Sequence, residues 1–461
     1  MFESRLTAYP AAINDPSLDT FERLASLRSF AAAEAGKDAS RLKAAEVNNH
    51  IHTIYSFSPY SPSMAALLAK DAGLFAAGSV DHDSIAAAKE MLAACALLGI
   101  GGCVGFELRV SFRKGEGGKE SPFASRKLNN PDSRGYAYTT VQGIPRQAIP
   151  AAAEFLKPLR EERLKRTLAM TIKANDMLRE AGLKEIGFDS DIIAKSKYSE
   201  GGGITERHLL AAMAEKIILK YGKGQGLESA LKAKMGVSVS PRLSPLLSDP
   251  ANPHYLYDLL GVLKAEFLPK IFIQPSENEC IPAEKATAFA KSISAIPAYA
   301  YLGDVGESPT GDKRAEKFED DYIEELFAEL SRLGYLAITY MPPRNTPVQL
   351  KNLRRLSAER CFMEISGVDI NSSRQSFNCP EVLQKEFSHL LDTTWALIAH
   401  ERLASVNMRY GLFSKDNPLS SLELPRRLAV YARLGKKLDL NHPDDSAAGL
   451  AAEIEKGFID E

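Results

Sequence analysis

The chain is poor in several residue types, and each shortage narrows what it can be. Its 461 residues include five cysteines, eight histidines and one tryptophan. Cys95, Cys103, Cys280, Cys361 and Cys379 are scattered and never spaced as CxxC. That excludes a disulfide scaffold and a thiolate zinc site, and leads us to expect reduced thiols in a cytoplasmic protein. No apolar run reaches the length of a bilayer-spanning helix, so no membrane partner is expected. Met1 to Asp19 has no basic stretch followed by an apolar one, so no signal peptide is read there. The charges nearly cancel, at a net −2. This argues against a largely electrostatic binder of long nucleic acid, but not against a small anion in a local basic pocket. Internal repeats and low-complexity tracts are absent as well.

What is present is a globular composition, 45% hydrophobic and 25% charged. The length suits two to four domain-sized units, or one barrel carrying an insertion. The few histidines are not spread evenly. Asn49-His50-Ile51-His52-Thr53 closes a predicted strand over 46–53. Side chains at i and i+2 of a strand share a face, so His50 and His52 can offer two imidazoles to one point. A helix over 63–71 closed by Gly73 follows, then a strand over 74–80. A helix over 84–98 closed by Gly99 leads to a strand over 101–110. The two later strands end in Ser79-Val80-Asp81-His82-Asp83 and Gly105-Phe106-Glu107. Strand and helix alternating at this spacing predicts parallel strands with right-handed crossovers, whose site lies at the C-terminal strand ends. Two imidazoles, a further histidine and a carboxylate meeting there describe a hydrolytic metal site.

The rest of the chain reads as follows. Residues 1–45 form a peripheral helical segment with Phe21, Leu24, Leu27 and Phe30 on one apolar face. Residues 46–145 are the first part of a barrel, in which 111–143 form a long polar loop or hairpin. Residues 146–292 are a helical insertion, with helices over 151–181, 205–221 and 254–267. Residues 293–415 return to the barrel, with strands over 296–301, 335–341 and 362–369. A charged helix over 313–332 precedes the second of these, and a helix over 383–404 closes the core. Residues 416–461 are a helical tail.

The motifs His50–Thr53, Asp81-His82-Asp83, Gly105–Glu107 and the Asp369 turn resemble those of the polymerase and histidinol phosphatase (PHP) superfamily of metal-dependent phosphoesterases. The stretch Gly203-Ile204-Thr205-Glu206-Arg207-His208, after a helix carrying Arg163 and Arg166, resembles one branch of it. That branch holds nucleoside 3′,5′-bisphosphate phosphatase and a 5′-to-3′ ribonuclease, whose helical insertion carries an Arg and a His over the site. The resemblance implies an α/β fold, a distorted (β/α)7 PHP-type barrel with a large helical lid. It implies His50, His52, Glu107 and Asp369 as ligands of one divalent ion, zinc, manganese or iron, with two or three ions as the alternative. His82 is implied as a further ligand or as general acid/base, with Asp81 as a second proton carrier. Arg207, His208 and Arg374 would contact substrate. Phe57 stands where the family has an acid or His, Tyr299 where it has a His, and Asn371 where it has the last His. Tyr299 is accordingly read as a substrate contact.

The resulting expectation is a phosphoesterase acting on a small phosphorylated metabolite, a nucleotide or a short oligonucleotide. Two alternatives stand beside it. HxH also opens amidohydrolase barrels that cut C–N bonds, which need a bridging lysine and further strand-end histidines. A barrel with a reduced ligand set could instead bind and sense a phosphorylated ligand.

Overall fold

The computed structural model describes residues 8–34, 44–305 and 316–455. The expected charged helix over 313–332 begins outside the described residues; within them 316–319 are not helical, Asp320–Tyr322 is a 3-10 turn, and the α-helix runs Ile323–Leu333.

Seven strands form one sheet in the order of the sequence: β1 (Glu46–Ile51), β2 (Leu74–His82), β3 (Gly101–Ser111), β4 (Tyr136–Gln142), β5 (Ile296–Ala300), β6 (Ala337–Tyr340) and β7 (Met363–Ser366). The first three are parallel, as are the last three, but β4 runs antiparallel to both its neighbours. The sheet curls until its ends nearly meet. Ile51 bridges Ile370, just past β7. There the His52 N–H donates to Ile370 at 2.9 Å, and the Ile370 N–H donates to His50 at 3.0 Å. The result is a nearly closed seven-stranded barrel. Strand β4 was hidden in the polar stretch 111–143, because its alternation (Tyr136, Tyr138, Thr140, Gln142 on one face) is almost all polar.

Helix α1 (Thr20–Glu34) lies on the outside with α2 (Pro62–Asp71) and α3 (Ala88–Leu98). Leu24, Leu27 and Phe30 face the core as expected, but Phe21 is 78% exposed. Its neighbour Arg23 takes a fully buried place instead, because Glu90 of α3 accepts from its guanidinium at 3.0 and 2.6 Å. Helix α4 (Ile149–Glu180) begins on the barrel through Ile149, Ala152, Leu156 and Leu159. From Met170 onward it enters a second apolar core. That core is shared with α5 (Glu206–Tyr221), α6 (Gln225–Met235) and α7 (Tyr255–Glu266), and together they form a helical lid. Helix α8 (Ala283–Ser292) packs back on the barrel layer, with α9 (Ile323–Leu333) and α10 (Pro347–Glu359).

Helix α11 (His389–Val406) closes the barrel from below. Its Ala396, Leu397, Ile398 and Leu403 pack on Val47, Ala76, Ala298, Ala337 and Met363, from five different strands. Helices α12 (Leu424–Lys436) and α13 (Pro443–Glu455) cover it. Within α11, Glu401 is buried, and its Oε2 accepts the Val104 N–H at 2.7 Å. Burial pushes this carboxyl up to about 7.

A network of six charges, five of them buried and Glu206 partly so, ties lid to barrel. Arg109 of β3 pairs with Glu279 at 2.7 Å and Glu206 at 3.1 Å. Arg163 of α4 pairs with Asp83 at 2.5 Å and Glu206 at 2.9 Å. Arg166 pairs with Glu206 at 2.7 Å and Glu279 at 2.6 Å. Three cations meet three carboxylates, so the cluster is neutral as a unit. Burial opposes ionisation of Glu206, but the three arginines hold it well below the usual carboxylate range.

Two outcomes test this account. Glu206→Gln leaves three guanidinium groups facing two carboxylates in a buried setting. It is expected to lower the unfolding free energy by about 3–5 kcal/mol, measured by denaturant titration. Glu401 binds its proton more tightly folded than unfolded, so its contribution to stability falls as pH rises between about 4.5 and 7. Relative to Glu401→Gln, the wild type should lose up to about 1.4 kcal/mol per pH unit across that window. Parallel slopes for the two proteins would contradict it.

Candidate metal centre

The site is made at the mouth of the barrel, and β1 prepares it with a bulge. Asn48 pairs with Ala77 and Ile51 with Ser79, so three steps on β1 face two on β2. A bulge bends the strand and re-aims its side chains. Here the Asn48 carboxamide accepts the His50 N–H at 2.9 Å and supports the kink. The neighbouring chain comes very close, since a Cβ on Gly367 would lie 2.6 Å from His50 Cβ. Glycine at 367 is what lets the β7 end pass beside His50.

His50 Nε2 then lies 3.7 Å from Glu107 Oε1, and His52 Nε2 lies 3.8 Å from Glu107 Oε2. The ligand atoms of these three residues all lie within 4.8 Å of one another. Asp369 Oδ1 is 3.4 Å from His52 Nε2. His82, paired in register with Glu107, places Nδ1 2.9 Å from Glu107 Oε2 without hydrogen-bond geometry. The structure thus brings together all five residues read from the sequence as ligands.

The hydrogen bonds around His52 decide which of its nitrogens faces the cluster. Asp81 accepts from the Thr53 N–H, the Thr53 hydroxyl and the Ser56 hydroxyl, each at 2.6 Å. With its proton given to Asp81, Ser56 Oγ accepts from His52 Nδ1 at 3.2 Å. The His52 proton therefore sits on Nδ1, and the Nε2 lone pair points at the carboxylates of Glu107 and Asp369. That nitrogen is buried and has no hydrogen-bond partner, as is His82 Nδ1. Burial, with His82 next to it, holds His52 down to about 3, and burial, with Arg163, does the same for His82. Neutral imidazoles aiming lone pairs at carboxylate oxygens repel them unless a cation lies between. The donor set, two to three imidazoles and two carboxylates, suits a divalent transition metal.

Asp81 is not in the cleft. Its carboxylate is used up in shaping the Thr53–Ser56 turn, so it orients a ligand and is not placed to carry a substrate proton. Other expected contacts also lie elsewhere. His208 Nδ1 accepts the Thr205 N–H at 3.0 Å, capping α5, and its ring packs on Phe57. It does not line the cleft. Arg374 grips Asp258 of α7 with bonds of 2.5 and 2.6 Å, which pins the lid to the turn after β7. Tyr299 is buried on the outer face of β5 against Phe112 and Tyr335, because Ala298 and Ala300 take the inner face. Phe57 holds a left-handed φ of 75° and stacks under the Arg207 guanidinium, 5.7 Å from its ring centre.

Of the expected substrate contacts, Arg207 does reach the cleft. It hydrogen-bonds Asn371, whose Nδ2 donates to Asp369 Oδ1 at 2.6 Å. Three residues that the sequence reading passed over belong here as well. Ser56 orients His52. Tyr138 of β4 lines the cleft beside His82, ring centres 5.6 Å apart. Lys264 of α7 lines the lid side and has no ion pair with any described residue. None sits in a recognisable motif, although Ser56 follows His52 by one tight turn. The cavity between them is about 150 Å³.

No protein-family model matches the chain, and no curated protein matches it. Several solved structures are similar to it, including the two that follow. One is a candidate metal-dependent phosphoesterase from Bifidobacterium adolescentis, 16% identical, covering 73% of this chain and 91% of its own, with a TM-score of 0.46. The other is an amidohydrolase from Chromobacterium violaceum with bound sulfate and no metal. It is 17% identical and covers 71% of this chain and 88% of its own, with a TM-score of 0.44. Neither likeness bears on the chemistry of the site.

Ser56→Ala frees the His52 ring to take either tautomer and orientation. Metal affinity is expected to drop about 10-fold or more, read by competition with a chromophoric chelator. An unchanged affinity would mean that Ser56 does not set the tautomer.

Proposed function

We propose that this protein is a metal-dependent phosphoesterase acting on a small phosphorylated molecule. The observation that carries the metal half is the buried, unpartnered His52 Nε2 aimed at two carboxylates. What supports an anionic substrate is the lining of the same cleft, where Arg207 and Lys264 face the cluster from the lid. A cavity of about 150 Å³ favours a phosphoryl group with a modest leaving group over a polymer held along its length.

In this reading His50, His52, Glu107 and Asp369 hold one divalent ion, with His82 as a further donor. Bound there, such an ion would lower the pKa of water and polarise a phosphoryl oxygen. Arg207 offsets charge on the phosphoryl oxygens, and its bond to Asn371 fixes where its guanidinium lies. Lys264 supplies a second, more adjustable positive charge. Arg163 lines the cleft too, but is committed to Asp83 and Glu206. Its role is to keep the wall in place.

The test is elemental analysis of the wild type beside a His50→Ala/His52→Ala double variant, followed by a phosphoester panel on both. We expect about one equivalent of transition metal in the wild type, lost in the variant together with phosphatase activity. Metal-loaded wild type that cleaves no phosphoester but opens an amide or cyclic ureide would replace this reading with a C–N hydrolase. Protein that takes up no metal under any loading would leave a ligand-binding barrel.

A further inference from the structure

Phosphoester cleavage needs a proton for the departing oxygen, and the residues that bear protons in this cleft can be taken one at a time. His82 turns Nδ1 toward Glu107 at 2.9 Å and sits among the ligands. Arg163 and Arg207 are guanidinium groups, which do not give up protons in proteins. The Tyr301 hydroxyl already donates to Asp320 at 2.5 Å, and the Tyr340 hydroxyl to Glu364 at 2.7 Å. Lys264, on the lid helix α7, is the unpaired positive charge assigned above to the phosphoryl oxygens, and it holds its proton to do so. Tyr138 remains. It comes from β4, where the antiparallel register sets Thr140 opposite Glu107 and Tyr138 opposite Arg109. Because β4 is reversed, this early residue lies at the barrel mouth, on the same strand face as Thr140. Its ring leans on His82, it lines the cleft, and its hydroxyl makes no hydrogen bond with any described residue.

We propose that Tyr138 is a catalytic residue, the donor that protonates the leaving oxygen of the ester. The inference rests on the phosphoesterase reading above. The oxygen of water bonds to phosphorus as the bond between phosphorus and the ester oxygen breaks. The Tyr138 O–H proton passes to that departing alkoxide. The attacking water gives up a proton to solvent and the phenolate takes one back from solvent, so ester and water become alcohol and phosphate, with Tyr138 unchanged. A phenol is protonated through the physiological range, and an alkoxide is more basic than phenolate, so the transfer runs downhill.

The role makes a demand that a merely structural tyrosine does not. An alkoxide needs a proton to leave, whereas nitrophenolate leaves without one. The experiment compares Tyr138→Phe with wild type on a simple alkyl phosphomonoester and on p-nitrophenyl phosphate, after matching metal content and Tm. We expect kcat on the alkyl ester to fall about 10²-fold further than on the nitrophenyl ester. Equal losses on the two esters would overturn the role of Tyr138 and leave the phosphoesterase reading intact. A wild type that cleaves neither ester would overturn both. Should the variant not fold, the wild type decides alone. A shallow dependence of kcat/KM on leaving-group pKa supports a proton donor, and a steep one overturns it.

Discussion

The six-charge network of Arg109, Arg163, Arg166, Asp83, Glu206 and Glu279 is the constraint on which the site depends. Each ion loses several kcal/mol of hydration on burial, and recovers it only when every partner is present. The network therefore tolerates one arrangement of lid and barrel. That arrangement sets the functional residues, because the charges are their chain neighbours. Asp83 follows His82, Arg109 lies two residues past Glu107, and Glu206 precedes Arg207. The lid is also held from its far side, where Asp258 grips Arg374 and His254 Nδ1 meets Ser373 at 2.8 Å. Two clamps on opposite edges fix the roof over the metal cluster.

Inside that frame, the cluster is held in a state that suits an ion and little else. Three imidazoles are crowded together, His50 and His52 buried and His82 half-buried, and two of them carry nitrogens without a hydrogen-bond partner. Such an arrangement costs stability in the empty protein. The surrounding structure supports it through the β1 bulge, the Gly367 approach and the Asp81 turn. Stability spent on a preset geometry is the usual pattern at sites that bind or catalyse.

The sequence made the ligands legible because they sit in short motifs at or just past strand ends, His50 in β1 and His52 just past it, His82 closing β2, Glu107 in β3 and Asp369 three residues past β7. Strands β1, β2 and β3 and their helices were readable within a few residues, and with them His50, His52, His82 and Glu107. Strand β4 was not, since its inner face is Tyr138, Thr140 and Gln142, and a polar inner face at an active-site mouth looks like a loop. The failures among expected contacts share one cause. His208, Arg374 and Asp81 have side chains capable of binding an anion or a proton. The sequence does not show that a cap, a lid clamp and a turn had already claimed them. Tyr299 failed by parity, one residue from the inner face. Ser56 and Lys264 become visible only when a hydrogen-bond path or a helix face exists in space.

The barrel closes at a single rung between Ile51 and Ile370, and this has a consequence for the order of assembly. Asn48 donates to Val368 across a separation of 320 residues. During synthesis the first two imidazoles leave the ribosome long before Asp369, and the whole lid is made in between. The metal centre is thus completed late, after the most distant contacts in the barrel have formed. A nascent chain can bury its first three strands against their helices, yet it has no complete ligand set to offer. Such a chain already carries His50, His52, His82 and Glu107, so the topology delays only the Asp369 arm and the roof of the site.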